Sequence, residues 1–304
     1  MPQVRTNGIN LEYEAFGDRG APPLVLIMGL GGQLLLWPED FCRALADAGH
    51  YVIRFDNRDI GLSTRLEQPR RPRLMRAALA ARLGLKVRAP YTLDDMAHDT
   101  VGLLDALQLP RAHVVGASMG GMIAQIVAAK HPQRVDSLTL IMSTSGNPRL
   151  PGPRLELQLR LVRPPPGHDR ETLIRHSMQT WRLIGSPQYP PDDHVLRAKV
   201  ERSYDRSSDR NGLARQTLAI IASGSRVPLL KRITAPTLVI HGAEDPLVPV
   251  AAGHDLARHI PGARLSIIPG MGHDLPAPLL PTFSRLILQL AQEAEHANRS
   301  RHDR

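Results

Sequence analysis

The stretch His113-Val114-Val115-Gly116-Ala117-Ser118-Met119-Gly120-Gly121-Met122-Ile123-Ala124-Gln125 decides the fold. A short apolar run leads into it and a helical pattern leads out, so 116–121 reads as a sharp strand-to-helix turn. A serine thrust outward by such a turn needs small residues two before and two after it, because backbone crowds the bend. Gly116 and Gly120 fill those places. The plain alternative is a glycine-rich helix start with Ser118 as an ordinary N-cap.

Outward from this turn, short apolar runs alternate with helical patterns. The strands read are 11–16, 24–28, 51–55, 112–115, 137–142, 237–241 and 264–268. Continuous runs such as Leu24-Val25-Leu26-Ile27-Met28 suit strands covered on both faces. The helices read include 39–48, 92–107, 120–131 and 280–291, and Thr92 with Asp95 three residues on comes close to a capping box. The pattern is α/β, a mostly parallel central sheet flanked by helices. Residues 1–147 and 229–294 form two parts of one core. Between them, 148–228 lacks strand signals but shows helices at 171–184 and 195–204, and reads as a helical lid inserted over the ligand end of the sheet. A basic excursion at 67–89 interrupts the first part, and 295–304 reads as a frayed polar tail.

Composition narrows the classes. With 42% hydrophobic residues in 304, the chain can bury a sizeable core, and its one cysteine, Cys42, forms no intramolecular disulfide. The longest apolar stretch, 22–32, is too short for a spanning helix, which needs about 20 residues. The first residues lack the apolar core of a signal peptide, so the cytoplasm is the expected compartment. A net charge of +9 suggests nucleic acid at first sight, but position argues otherwise. Residues 65–88 carry +7 and residues 149–232 carry +8, which leaves −6 on the body of the chain. Aromatic residues are only 4% and scattered, so no stacking platform exists and no nucleic-acid partner is expected. The basic segment 69–88 reads as a packed lid-edge helix with a solvated arginine face. Peripheral contact with an anionic membrane is its second reading.

A serine hydroxyl needs a base, and the base needs an orienting acid. In this architecture acid and base follow the serine in that order, each just past a strand end. Strand 237–241 runs into Gly242-Ala243-Glu244-Asp245-Pro246, where Asp245 is the acid read and Glu244 its competitor. Strand 264–268 runs into Pro269-Gly270-Met271-Gly272-His273-Asp274, where His273 is the base and Asp274 reads as a surface residue. Of the other histidines, His241 ends a strand and reads as packed core. No histidine pair has metal-ligand spacing with a carboxylate, so no metal is expected. An oxyanion needs two aimed N–H groups. Those of Met119 and of Leu30, in the turn Met28-Gly29-Leu30-Gly31-Gly32, are the candidates.

Together with Leu36-Trp37-Pro38 and the segment Val52-Ile53-Arg54-Phe55-Asp56-Asn57-Arg58-Asp59-Ile60-Gly61-Leu62-Ser63, these motifs resemble the α/β-hydrolases across nearly the whole chain. Within that superfamily they are similar to bacterial cofactor-free serine esterases of the aclacinomycin methylesterase kind. The resemblance implies the α/β-hydrolase fold, no cofactor, and cleavage of a small-molecule carboxylic ester through an acyl-enzyme on Ser118, His273 and Asp245. Met28 departs from the family, many of whose members carry histidine before the glycine. Serine at the elbow excludes the epoxide hydrolases and haloalkane dehalogenases, which use a carboxylate there. Met119 argues against the proline iminopeptidases, which usually place tryptophan after the serine. The same three residues also suit lactone or enol-lactone opening, carbon–carbon bond hydrolysis or perhydrolysis, and an idle site would leave a binding protein. Met178 and Trp181, with Leu183 and Tyr189, are the apolar lid residues expected near substrate. Oligomeric state is not legible.

Overall fold

The computed structural model describes residues 2–66, 74–154, 156–157, 166–208 and 211–302. The first half of the basic excursion, 67–73 with Arg70, Arg71 and Arg73, lies outside the described residues, as do parts of the expected lid at 155, 158–165 and 209–210.

Eight strands form one sheet: β1 (Gln3–Thr6), β2 (Ile9–Phe16), β3 (Pro23–Ile27), β4 (Tyr51–Phe55), β5 (Ala112–Ala117), β6 (Val135–Ile141), β7 (Thr237–Gly242) and β8 (Arg264–Ile268), in the order β1-β2-β4-β3-β5-β6-β7-β8. β1 and β2 pair antiparallel, β2 joins β4 antiparallel, and every other pairing is parallel. The expected mostly parallel α/β sheet is therefore present. The short β1 is an addition to the strands read from sequence.

Ten helices are described: α1 (Glu39–Asp47), α2 (Leu74–Arg82), α3 (Leu93–Ala106), α4 (Met119–Lys130), α5 (Arg170–Ile184), α6 (Asp193–Arg206), α7 (Asn211–Ser223), α8 (Val227–Leu230), α9 (Ala251–His259) and α10 (Leu280–His302). The continuous apolar strands serve two cores. Leu24, Leu26, Val52, Leu238 and Ile240 face Phe41 and Leu45 of α1 and Phe283 and Ile287 of α10. Val25, Ile27, Val114, Leu138 and Val239 face Leu103 of α3, Ile123 of α4 and Leu256 of α9. Each fully buried aliphatic side chain contributes about 1.5–3 kcal/mol, so the two layers hold the sheet rigid between them.

Three details bear on the sequence reading. The expected frayed tail after Ala294 is helical to His302, because Glu293 pairs with Arg264 and Asn298 reaches Asp136, tying α10 back to the sheet. The helix in the basic excursion forms and packs on α7, although none of its residues is fully buried and Met75 and Leu79 stay exposed. The capping box at Thr92 is complete: its Oγ1 accepts from Asp95 N, and the Asp95 carboxylate accepts from Thr92 N. Among the described residues no helix is long and apolar enough to cross a membrane.

Candidate active site

Strand order reverses between β3 and β5, and open parallel sheets bind ligands beyond the carboxyl ends of strands at such a point. The Met28–Gly32 turn leaves β3 there and Ser118 leaves β5. Ser118 has φ +54° and ψ −118°, a conformation that costs a non-glycine residue about 1–3 kcal/mol. It is held by Ser118 N donating to Ile141 O at 2.9 Å and by Ser143 Oγ donating to Ser118 O at 2.8 Å. The bend leaves no room for side chains on either flank. A Cβ on Gly116 would lie 2.4 Å from Gly120 O, and one on Gly120 would lie 2.0 Å from Ile27 O.

The fold brings Ser118, Asp245 and His273 together. His273 Nε2 is 2.9 Å from Ser118 Oγ, and His273 Nδ1 is 2.7 Å from Asp245 Oδ2. The other Asp245 oxygen accepts from Leu247 N and Val248 N at 2.9 and 2.8 Å, so the loop itself aims the carboxylate. Glu244 is occupied elsewhere, its Oε2 accepting from Gly270 N at 2.6 Å and so fixing the loop that carries the histidine. His241 is fully buried, as expected of a core histidine. Its Nε2–H donates to Val248 O at 2.8 Å, and burial pushes its pKa below the ordinary value, keeping it neutral behind Asp245.

The expectation that Asp274 lies on the surface is wrong. It is only 8% exposed and accepts from Ser186 Oγ, while burial raises its pKa. The segment after α5 covers it: His273 N donates to Ile184 O at 2.7 Å and Gly272 N to Ser186 Oγ at 2.9 Å. The helical insertion thus braces the histidine loop directly. Met178 fills the core between α5 and α6 with Ile174, Leu196 and Val200. Trp181 borders that core with the Lys199 ammonium 3.8 Å above its ring.

The Met28–Gly32 turn is braced as well. Gly29 abuts the serine, with its Cβ position 3.0 Å from Ser118 Cβ. Asn57 Nδ2 donates to Met28 O at 2.8 Å. Gly31 N donates to Gln216 Oε1 at 2.9 Å, and Gln216 Nε2 donates onward to Arg58 O at 2.9 Å. Sequence reasoning passed over Gln216, a fully buried residue of α7, because nothing local marks it within Asn211-Gly212-Leu213-Ala214-Arg215-Gln216. Leu30 stands at the corner of the turn, 38% exposed, and Met119 heads α4, where the first N–H groups have no intrahelical acceptor.

Among the described residues, the side chains that could gather a metal ion are His50, His113 and Glu295, with ligand atoms within 4.8 Å of one another. His113 Nδ1 meets Ser137 Oγ at 2.9 Å and its Nε2 meets Glu295 Oε1 at 3.4 Å, so hydrogen bonds account for both ring nitrogens. The group sits at the amino end of β5, away from Ser118.

Known proteins agree with this architecture. The family model described as alpha/beta hydrolase fold matches residues 22–276. The chain is 32% identical over 293 residues to rhodomycin D methylesterase DauP of Streptomyces sp. strain C5, covering 90% of this chain and 92% of that protein. It is 31% identical, with the same coverage, to rhodomycin D methylesterase DnrP of Streptomyces peucetius. The crystal structure of the enol-lactonase from Burkholderia xenovorans LB400 superimposes with a TM-score of 0.72 at 25% identity, covering 96% of this chain and 100% of that one. Its sheet, its sequence and these relatives agree: the chain belongs to the α/β-hydrolase fold family.

Proposed function

We propose that the protein hydrolyses carboxylic esters through an acyl-enzyme, with Ser118 as nucleophile, His273 as base and Asp245 as orienting acid. The observation that carries the reading is the unbroken hydrogen-bond path from Asp245 through His273 to Ser118, at 2.7 and 2.9 Å. A carboxylate only accepts, so the proton on His273 Nδ1 points to Asp245. That leaves the Nε2 lone pair facing the serine hydroxyl. As Ser118 Oγ attacks the ester carbonyl, Nε2 takes its proton and then delivers it to the departing alkoxide. Water activated by the same nitrogen then releases the acid and restores the serine. The N–H groups of Leu30 and Met119 are assigned to the oxyanion, and the positive end of α4 adds to their effect. None of these steps calls on a cofactor.

The insertion between β6 and β7 is assigned as the lid over this site, bracing the histidine loop through Ile184 and Ser186. The names of the Streptomyces relatives favour a methyl ester, a small leaving alcohol on a larger acyl part. Of the two lid residues expected near substrate, Trp181 keeps that assignment, whereas helix packing already accounts for Met178. Enol-lactone opening is the second reading, favoured by the likeness to the Burkholderia enol-lactonase, and uses the same groups.

The test is hydrolysis of nitrophenyl esters from acetate to palmitate, and of aromatic methyl esters against an enol-lactone, by wild type, Ser118→Ala and His273→Ala. Each variant is expected to lose about 1,000-fold or more in kcat. Turnover surviving in Ser118→Ala would sink the mechanism, and product analysis separates ester from lactone chemistry.

A further inference from the structure

Large apolar side chains on a folded surface need a reason when they gather in one place. Eight are exposed among the described residues, and four of these lie within eleven consecutive residues. Met75, Leu79, Leu83 and Leu85 stand 60–80% exposed along α2 and the turn that follows it. That turn is ordered, with Leu85 N donating to Ala80 O at 2.9 Å and Gly84 at φ +72°. Met75, Leu79 and Arg82 fall at i, i+4 and i+7, on one stripe of the helix. Leu213 and Leu30 are also among the eight. α2 packs on α7, Leu213 of α7 presses on Gly31, and Gly29 abuts Ser118. α7 thus links the helix that carries the apolar stripe to the turn beside the serine.

Charge selects the occupant. From Leu74 to Leu93 there is no aspartate or glutamate, while Arg76, Arg82, Lys86 and Arg88 are all exposed. A second copy docking symmetrically would set these four cations against themselves. A surface that is apolar within and anionic at its boundary complements them instead.

We propose that this face docks on an anionic phospholipid surface, with the α2 leucines and Met75 at the acyl–headgroup boundary and the four cations against the phosphates. Docking stands independently of the chemistry. That it brings membrane-dissolved esters to Ser118 rests on the ester hydrolase reading above.

Sedimentation of the full chain with vesicles tests it, comparing phosphatidylcholine alone with phosphatidylcholine mixed with phosphatidylglycerol. Binding to the anionic vesicles is expected, with loss at high salt. Each cation near such a surface strengthens partition by about fivefold, so Arg76→Gln with Arg82→Gln should weaken it about 25-fold. Leu79→Ser with Leu83→Ser should weaken it by about tenfold or more. These exposed positions leave turnover of a water-soluble nitrophenyl ester unchanged, which verifies the fold of each variant. Ser118→Ala should bind vesicles like wild type, so failure of the ester reading and failure of docking are told apart. Three results would overturn the proposal: no sedimentation with anionic vesicles at low salt, binding indifferent to both double variants, or a stable dimer in solution that Leu79→Ser with Leu83→Ser dissolves.

Discussion

Gly120→Ala puts the crowding of the elbow to a quantitative test. The new Cβ would sit 2.0 Å from Ile27 O, 2.6 Å from Ile27 C and 2.8 Å from Met28 O. Carbon and carbonyl oxygen approach to about 3.3 Å at closest, so the two backbones must part by about 1.3 Å. Neither side is a flexible side chain. One is the end of β3, in register with β5 through Ile27 and Gly116, and the other is the first turn of α4. Overpacking costs about 1–3 kcal/mol, and main chain against main chain belongs at the upper end. About 3 kcal/mol corresponds to a Tm lower by about 5 °C in a chain of this size. The same displacement opens the gap between the Met28–Gly32 turn and Ser118, and a misplacement of about 1 Å costs about 100-fold in rate. Calorimetry and kcat/KM on nitrophenyl acetate measure both effects. Gly20→Ala is the control, its Cβ position no closer than 3.6 Å to any neighbour, with a change within about 0.5 kcal/mol expected. Wild-type Tm and kcat/KM in Gly120→Ala would refute the reasoning.

Asp245→Asn keeps an oxygen for Leu247 N and Val248 N but turns an amide N–H toward His273 Nδ1. It should lower kcat about 10,000-fold, with KM and Tm nearly unmoved; a loss under about tenfold would remove Asp245 from its role. Arg58→Met strands the Asp99 carboxylate, 2% exposed and bonded twice by that guanidinium at 2.5 Å, and should cost about 3–5 kcal/mol in urea unfolding. Arg58→Met with Asp99→Leu should recover most of that loss, and a double variant no more stable than the single one contradicts the assignment. Burial pushes His113 and His241 below the ordinary histidine pKa, so below about pH 6.5 the unfolded chain binds protons that the folded chain refuses. Their contribution to stability is present above that pH and lost as pH falls, by up to about 1.4 kcal/mol per unit for each histidine. Urea midpoints at pH 7.5 and 5.5 should show the fall, and His113→Asn should flatten it; an unchanged slope in that variant would rule His113 out.

Local signals account for what the sequence disclosed. The elbow is written in adjacent residues, because its constraint is the chain folding against itself, and the Thr92 capping box is complete within four. Asp245 and His273 were legible because each follows a strand on the edge that Ser118 shares. What escaped depends on contacts remote in sequence. β1 is a four-residue edge strand whose polar residues gain order from pairing with β2 and packing on α3. Asp274 looks like a surface acid until Ser186, 88 residues away, covers it. Gln216 acts on Gly31 across 185 residues with no flanking motif. The amphipathic pattern at α2 suggested packing, and α2 does pack on α7, yet Met75 and Leu79 stay exposed, since sequence shows that a face is apolar but not what it meets.

The Gln216 bridge bears on how this scaffold can be re-engineered. Under the lid assignment proposed above, exchanging the helices between β6 and β7 with those of a relative would change which molecules the enzyme accepts. Here the donor segment must also supply an acceptor for Gly31 N, or the turn beside Ser118 loses a strut it does not itself encode. On that assignment, substrate range and the support of Gly31 are inherited on one module, and a chimera made for new selectivity should be screened first for a group that replaces Gln216.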